Sequence, residues 1–125
     1  MEHRDVVVIG ASAGGIEALQ KLLPRLPADF AAAVLVVLHT TGRPGRLLPQ
    51  ILGRRTLLAV SHPADRTRMK RGHVYVAPPD CHMLVEDGHV RVLQGPRENL
   101  HRPAIDPLFR SAAVAAGRRV IGVVL

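Results

Sequence analysis

A chain of 125 residues is long enough for one compact domain and too short for two. Its composition is 47% hydrophobic but includes only two Phe, one Tyr and no Trp, so the core has to be built from Val, Leu, Ile and Ala. The formal net charge is +7, yet the arginines are spread along the chain and few aromatic rings are present to stack on bases. These features favour an α/β fold and argue against nucleic-acid binding.

The single cysteine, Cys81, excludes an intramolecular disulfide, and no apolar segment follows a basic stretch at the N-terminus. Apolar runs such as 31–38 are far shorter than the roughly 20 residues needed to cross a bilayer. No histidine pair has zinc-site spacing, and adjacent Cys81 and His82 in a strand would face opposite sides. We therefore expect a cytoplasmic protein with no metal, no cofactor and no membrane insertion.

The first part of the chain predicts a βαβ unit. The β-branched run 6–9 predicts a strand that stops at Gly10, and the apolar spacing becomes helical after Gly15. Two prolines end this helix, and the continuous apolar run 33–38 is typical of a strand buried on both faces of a parallel sheet.

The alternation of strands and helices continues, with a small antiparallel excursion. The dipeptide Asp87-Gly88 supplies the positive φ values of a tight hairpin between two short strands. Asp106 looks like an N-cap with Pro107 at the first helical position, and Gly117 looks like the C-cap. The predicted elements are a helix at 46–54, strands at 57–60, 74–77, 83–85 and 90–93, a helix at 107–116 and a strand at 120–125.

Residues 10–14 match the motif G-x-S-x-G between a predicted strand and a predicted helix. The sharp turn would expose the hydroxyl of Ser12 at the carboxyl end of the strand. The backbone N–H groups of Ala13 and Gly14, at the positive end of the helix dipole, are candidate donors to an oxyanion. The motif alone leaves two alternatives open: a glycine-rich turn that only packs strand against helix, or a phosphate site at the helix terminus.

His39 follows the second strand directly. Because the carboxyl ends of adjacent parallel strands lie side by side, Ser12 and His39 are predicted to be neighbours, with His39 as the general base. A dinucleotide-binding unit would instead have glycine at position 12 and an acidic residue near position 39. A Rossmann-like nucleotide- or phosphate-binding module remains the second hypothesis. Asp106, as a predicted helix cap, and Asp80, in a predicted turn, are weak candidates for a third catalytic residue.

These residues resemble the catalytic domain of the chemotaxis protein-glutamate methylesterases, the CheB family. The resemblance implies a three-layer α/β/α fold with a mainly parallel, Rossmann-like sheet, Ser12 as nucleophile and His39 as its histidine. It also implies hydrolysis of glutamate methyl esters on the cytoplasmic helices of methyl-accepting chemoreceptors, and in some members deamidation of receptor glutamines. The segments that carry the resemblance are 7–18, His39, 72–78, 80–83, 101–103, Asp106, Leu108 and Phe109.

Three departures from the family pattern shape our expectations. Only five residues precede the first strand, where the family usually has a receiver domain, so we expect no phosphorylation control in cis and an uncovered catalytic face. Position 13, commonly threonine, is Ala13. Residues 1–125 match the N-terminal portion of the catalytic domain, and the loop with the triad aspartate lies beyond Leu125.

The last departure predicts that residues 1–125 alone are at best a very poor esterase, with apolar surface exposed at 120–125. A non-catalytic receptor-binding remnant is a further alternative. A separate receiver or methyltransferase protein is an additional candidate partner.

Overall fold

The computed structural model describes residues 4–12, 14–39, 46–97 and 102–125. This part of the chain forms eight strands and three α-helices, with 3-10 turns at Leu23–Arg25 and Gly117–Arg119. The elements are β1 (Val6–Ala11), α1 (Gly15–Leu22), β2 (Ala33–Leu38), α2 (Leu48–Gly53), β3 (Ala59–Ser61), β4 (Thr67–Arg68), β5 (His73–Val76), β6 (His82–Glu86), β7 (His89–Leu93), α3 (Ile105–Ala116) and β8 (Val120–Val124).

Five parallel strands form the main sheet, in the order β3-β5-β2-β1-β8. The central strand β2 is buried along its whole length, which explains why its sequence is an unbroken apolar run. The parallel βαβ start predicted from the sequence is confirmed. All carboxyl ends of these strands therefore lie along one edge of the sheet, which we call the carboxyl edge.

Helices cover both faces of the main sheet. On one face Val34, Val36 and Leu38 of β2 belong to a core cluster with Leu19 of α1 and Leu52 of α2. On the other face, the alternate β2 residues belong to a second cluster shared with α3 and the smaller sheet. The expected three-layer α/β/α architecture is confirmed.

A second, antiparallel sheet has the strand order β4-β7-β6. Asp87 and Gly88 have φ values of 52° and 78°, so the predicted hairpin is confirmed at the predicted turn. The sequence analysis missed β4, because a two-residue strand, Thr67–Arg68, is too short to show a period.

Most predicted element boundaries were wrong by one or two residues, and the ends of β1 and β3 are the clearest cases. Strand β1 continues through Gly10 to Ala11. Gly10 does not end the strand but makes room for Ile105, whose side chain lies 2.6 Å from where a Cβ of residue 10 would be. Strand β3 begins at Ala59 rather than at position 57, and the side chain of Leu57 is 77% exposed.

The predicted start of α3 was also wrong. The helix begins at Ile105 with Ala104 as its extended N-cap residue, so Asp106 lies in the first turn and does not cap the helix. Pro107 is then the third helical residue, where its missing N–H removes no intrahelical bond. The C-cap prediction is confirmed, since Gly117 follows the helix with a φ of 54°.

Strand β8 is an edge strand that pairs with β1. Apolar surface is exposed as expected for 120–125, since Val124 is 75%, Leu125 40% and Ile121 38% accessible, whereas Val120 and Val123 are partly buried against the core. Within the described ranges, the helices are all too short or too polar to cross a bilayer.

Candidate functional site

Ser12 lies in the turn between β1 and α1, at the carboxyl edge, and is exposed as predicted. The turn is closed by a hydrogen bond of 2.8 Å from the N–H of Gly15 to the carbonyl oxygen of Ser12. Gly14, with φ 85° and ψ −8°, is the N-cap residue of α1, and this left-handed conformation is the reason for a glycine there.

Two other glycines bring helices onto β1 beside Ser12. A Cβ at Gly15 would collide with the Cβ of Ala11 and lie 3.0 Å from Cδ2 of Leu38. A Cβ at Gly10 would lie 2.6 to 2.9 Å from three side-chain atoms of Ile105. Both contacts are closer than a side chain tolerates, so α1 and α3 reach β1 only because these positions lack one. The Ser12 turn is therefore held from both faces of the sheet.

His39 is the first residue after β2 and lies next to Ser12 along the edge. The last paired residues of the two strands are Ala11 and Leu38, and the N–H of His39 donates to the carbonyl oxygen of Ala11 at 2.9 Å. The structure thus brings the backbones of Ser12 and His39 to adjacent positions, as the topology predicted. His39 is partly buried, with its Nε2 atom shielded from solvent.

The predicted oxyanion donors are at the start of α1. Gly14 is exposed beside Ser12, whereas Ala13 lies outside the described residues. The N–H of Gly15 is already used by the carbonyl of Ser12, which leaves Gly14 as the described candidate. The positive end of the α1 dipole lies at the same place and favours developing negative charge there.

The two carboxylates considered in the sequence have other surroundings. Asp80 is in a turn after β5, as predicted, with φ 61°, and its Oδ1 lies 2.8 Å from Nη2 of Arg102. Asp106 is exposed in the first turn of α3. The pairing of Asp80 with Arg102 was missed in the sequence, because the two residues are 22 positions apart with a hairpin between them. The sequence indicated this pair only by an acidic residue, Asp80, in one proline-containing loop and a basic residue, Arg102, in another.

The sequence analysis also missed a second serine and histidine at the carboxyl edge. Ser61 ends β3, and His62 follows it with Nδ1 3.0 Å from the carbonyl oxygen of Val76. Strand β5 separates β3 from β2, so this pair is two strands away from His39. Ser61 and His62 are consecutive residues at the end of one strand, whereas Ser12 and His39 follow two adjacent strands.

His82 is a structural histidine. It is 4% exposed, and its Nε2 lies 2.6 Å from the carbonyl oxygen of Pro96, so this ring nitrogen donates its proton to the carbonyl. Neighbouring Cys81 is only partly buried. Among the described residues, His, Cys, Asp and Glu side chains form no group of three or more suited to a metal ion.

The chain matches one protein family over almost its whole length. The family model described as CheB methylesterase matches residues 7–125. The crystal structure of the Thermotoga maritima CheB methylesterase catalytic domain superposes with a TM-score of 0.89 at 31% sequence identity, covering 99% of this chain and 67% of that chain.

Curated relatives carry the corresponding names. A protein-glutamate methylesterase/protein-glutamine glutaminase of Chromohalobacter salexigens is 41% identical over 129 aligned residues, covering all of this chain and 36% of the relative. A putative protein of the same name from Leptospira interrogans is 37% identical over 122 residues, covering 97% of this chain and 63% of the relative. The chain therefore spans between 36% and 63% of the length of these relatives.

Proposed function

The chain belongs to the CheB methylesterase family, and we propose that Ser12 and His39 are the nucleophile and general base of a protein-glutamate methylesterase. One observation carries this assignment. An exposed serine and a partly buried histidine follow adjacent parallel strands, joined by the hydrogen bond of 2.9 Å from the His39 N–H to the Ala11 carbonyl. Nucleophile and base on neighbouring strand ends can come within hydrogen-bond reach of each other, as acyl transfer requires, and this supports the proposal.

In the proposed reaction, Oγ of Ser12 attacks the carbonyl carbon of a glutamyl methyl ester while His39 takes the serine proton. The backbone N–H groups of Ala13 and Gly14 stabilise the tetrahedral oxyanion. The intermediate collapses when the bond to the methoxy oxygen breaks and His39 returns the proton, releasing methanol. Water then attacks the acyl-serine while His39 takes its proton, and the acyl bond to Oγ breaks as His39 returns that proton to Oγ, giving glutamate and free Ser12.

The substrate class follows from the relatives, whose names state action on protein glutamate and protein glutamine. We propose that the substrates are methylated glutamates, and also glutamines, on the cytoplasmic helices of methyl-accepting chemoreceptors, so that the protein acts in the cytoplasm. The arginine-rich surface favours acidic receptor helices through its net positive charge, and binding weakens as salt is added. A separate receiver or methyltransferase protein remains a further candidate partner.

The third member of the triad is proposed to come from polypeptide outside residues 1–125. Asp80 is held by Arg102, and Asp106 is solvent-exposed in the first turn of α3. Without an acid that orients His39, turnover of residues 1–125 alone is expected to fall by about 10⁴-fold, the loss seen when a triad aspartate is replaced.

The test is methanol release from a methylated receptor cytoplasmic fragment. Residues 1–125 are compared with a chain extended by the remaining third of the Thermotoga domain, each as wild type, Ser12→Ala and Ser61→Ala. We expect activity in the extended chain, strong loss in Ser12→Ala and little change in Ser61→Ala. Equal activity of the short and long chains would overturn the proposal about the acid, and activity that survives Ser12→Ala would overturn the proposal about the nucleophile. Titration with ATP and NAD tests the alternative of nucleotide binding. We expect that neither nucleotide binds to the protein.

A further inference from the structure

An ion pair joins two loops at the carboxyl edge. Nε and Nη2 of Arg102 lie 2.9 and 2.8 Å from Oδ1 of Asp80, and Nη1 of Arg102 donates to the carbonyl oxygen of Gly95 at 3.1 Å. The Arg102 side chain is 21% exposed, so the pair is only partly open to solvent. A guanidinium with three defined contacts fixes the two loops relative to one another in direction as well as distance.

The Asp80 side of the pair is attached to the strand that ends at His39. Residues 77–80 lead out of β5, and the N–H of Ala77 donates to the carbonyl oxygen of Val36 in β2 at 3.0 Å. Three residues beyond Val36, the chain reaches His39. The position of Asp80 is therefore coupled, through β5 and β2, to the backbone that holds the proposed base.

The Arg102 side of the pair is attached to the strand that ends at Ser12. Arg102 precedes the first residue of α3, Ile105, by three positions. The side chain of Ile105 fills the space over Gly10, with its Cγ2 at 2.6 Å from a Cβ position there. Gly10 is two residues before Ser12. The start of α3 is therefore coupled to the backbone that holds the proposed nucleophile.

From this connectivity we infer that Asp80 and Arg102 are positioning residues, which fix the spacing of Ser12 and His39 by linking the loop beside the His39 strand to the helix beside the Ser12 strand. The inference rests on the proposed function of Ser12 and His39. Acyl transfer is sensitive to such spacing, because a misplacement of 1 Å costs about 10²-fold in rate.

A second link keeps these loops folded when the ion pair is removed. Nε2 of His82 donates to the carbonyl oxygen of Pro96, so the strand that follows Asp80 remains bonded to the segment that contains Gly95. Loss of the Asp80–Arg102 pair should therefore loosen the edge without unfolding the domain.

The chain offers a matched control in the small sheet. Nε of Arg91 lies 2.9 Å from Oδ1 of Asp65, and the Arg91 side chain is 20% exposed. Asp65 precedes β4 and Arg91 lies in β7, so this pair is internal to the antiparallel sheet. Substitutions in this pair change charge and side-chain size as the Asp80 and Arg102 substitutions do. They should not loosen the segments beside Ser12 or His39.

The experiment uses the chain extended by the remaining third of the Thermotoga domain and measures the rate at which a small fluorophosphonate modifies Ser12, followed by intact mass. The variants are Arg102→Met, Asp80→Asn and the double variant, beside Arg91→Met, Asp65→Asn and their double variant. We expect about a tenfold lower maximal rate, with little change in the half-saturating reagent concentration, for each edge variant. The edge double variant should be no slower than the slower single variant, because the two residues act as one unit. The small-sheet variants should stay within about twofold of wild type.

Edge and small-sheet variants that slow the reaction equally would overturn the positioning role, as would additive losses in the edge double variant. The NMR chemical shifts of the His39 ring give a readout that does not depend on catalysis. Arg102→Met should move them and Arg91→Met should not, and unchanged shifts in Arg102→Met would also overturn the inference. Failure of the proposed function gives a different result, in which wild-type Ser12 is not modified by the reagent at all.

Discussion

Two arginine–aspartate pairs of nearly equal geometry lie in different parts of this molecule. In the small sheet Arg91 and Asp65 are 2.9 Å apart, and at the carboxyl edge Arg102 and Asp80 are 2.8 Å apart. The two arginine side chains are 20% and 21% exposed. Distance and arginine exposure therefore do not distinguish the pairs, and only a small direct contribution to stability is expected from each.

The difference lies in what each pair connects. Oδ1 of Asp65 also accepts the N–H of Val92, and Arg91 also contacts Glu86, so every partner belongs to one antiparallel sheet whose register the backbone already sets. Asp80 and Arg102 instead join segments that follow different elements, with no strand pairing between them. We expect an ion pair to matter more where it joins two loops whose backbones are not paired with each other.

The largest expected effect distinguishes the two histidines at the carboxyl edge. His39→Gln should lower the rate of Ser12 modification by about 10² to 10⁴-fold, because the variant removes the general base. His62→Gln removes a similar ring after β3, two strands away, and should leave the rate within about twofold. Stopped-flow or mass-resolved reaction with a fluorophosphonate measures both. An equal loss of rate in His39→Gln and His62→Gln would contradict the assignment of His39 as the general base.

A smaller effect is expected on the free energy of unfolding when glycines beside the site are replaced. Gly15→Ala should destabilise the domain by about 1 to 3 kcal/mol, because its Cβ would collide with the Cβ of Ala11. Gly53→Ala in α2 is the control, since its Cβ would be 3.6 Å from Val60, and it should be neutral or stabilising by about 0.5 to 1 kcal/mol. Urea unfolding midpoints measure both, and a neutral Gly15→Ala would show that α1 does not lie this close to β1.

An alkaline effect is expected from Tyr75, whose pKa is raised above 10.0 by burial. The neutral phenol is favoured in the folded protein, so its contribution to stability is complete below pH 10 and is lost as pH rises through the folded pKa. Tyr75→Phe should remove this loss, while weakening the fold near neutral pH by about 1 kcal/mol because the N–H of Lys70 loses its acceptor. Unfolding free energies at pH 8 and pH 11 measure both effects. An unchanged alkaline loss in the variant would contradict the assignment to Tyr75.

The smallest effect concerns the small-sheet pair in acid. The pKa of Asp65 is lowered from 3.8, first by the N–H of Val92 and then by its hydrogen bond with Arg91. Its stabilising contribution is therefore present above pH 3.8 and is lost as pH falls through the lower folded value. Asp65→Asn should flatten this part of the stability curve, whereas Asp87→Asn in the exposed hairpin turn is the control. If both substitutions flattened the curve equally, the assignment to Asp65 would be wrong.

The sequence predicted the features that depend on local pattern or on parallel topology. The buried run of β2, the Asp87-Gly88 turn and the adjacency of Ser12 and His39 follow from side-chain period, turn conformation and strand order.

The sequence did not predict features that depend on contacts distant along the chain. The link between Asp80 and Arg102 has no local pattern, and the start of α3 at Ile105 is set by packing against Gly10 rather than by a polar cap. The two-residue strand β4 is defined by its pairing with β7 alone.

The identity of the modified serine tests the central claim most directly. The wild-type extended chain is treated with a fluorophosphonate under limiting conditions, digested and sequenced by mass spectrometry to find which of Ser12, Ser61 and Ser111 carries the adduct. Ser111 is a matched internal reference, because its hydroxyl is held by the N–H of Val85 and the carbonyl of Leu108. Our account predicts modification at Ser12 at a rate that falls in His39→Gln. Modification at Ser61 or Ser111 instead, or a rate at Ser12 unchanged by His39→Gln, would contradict it.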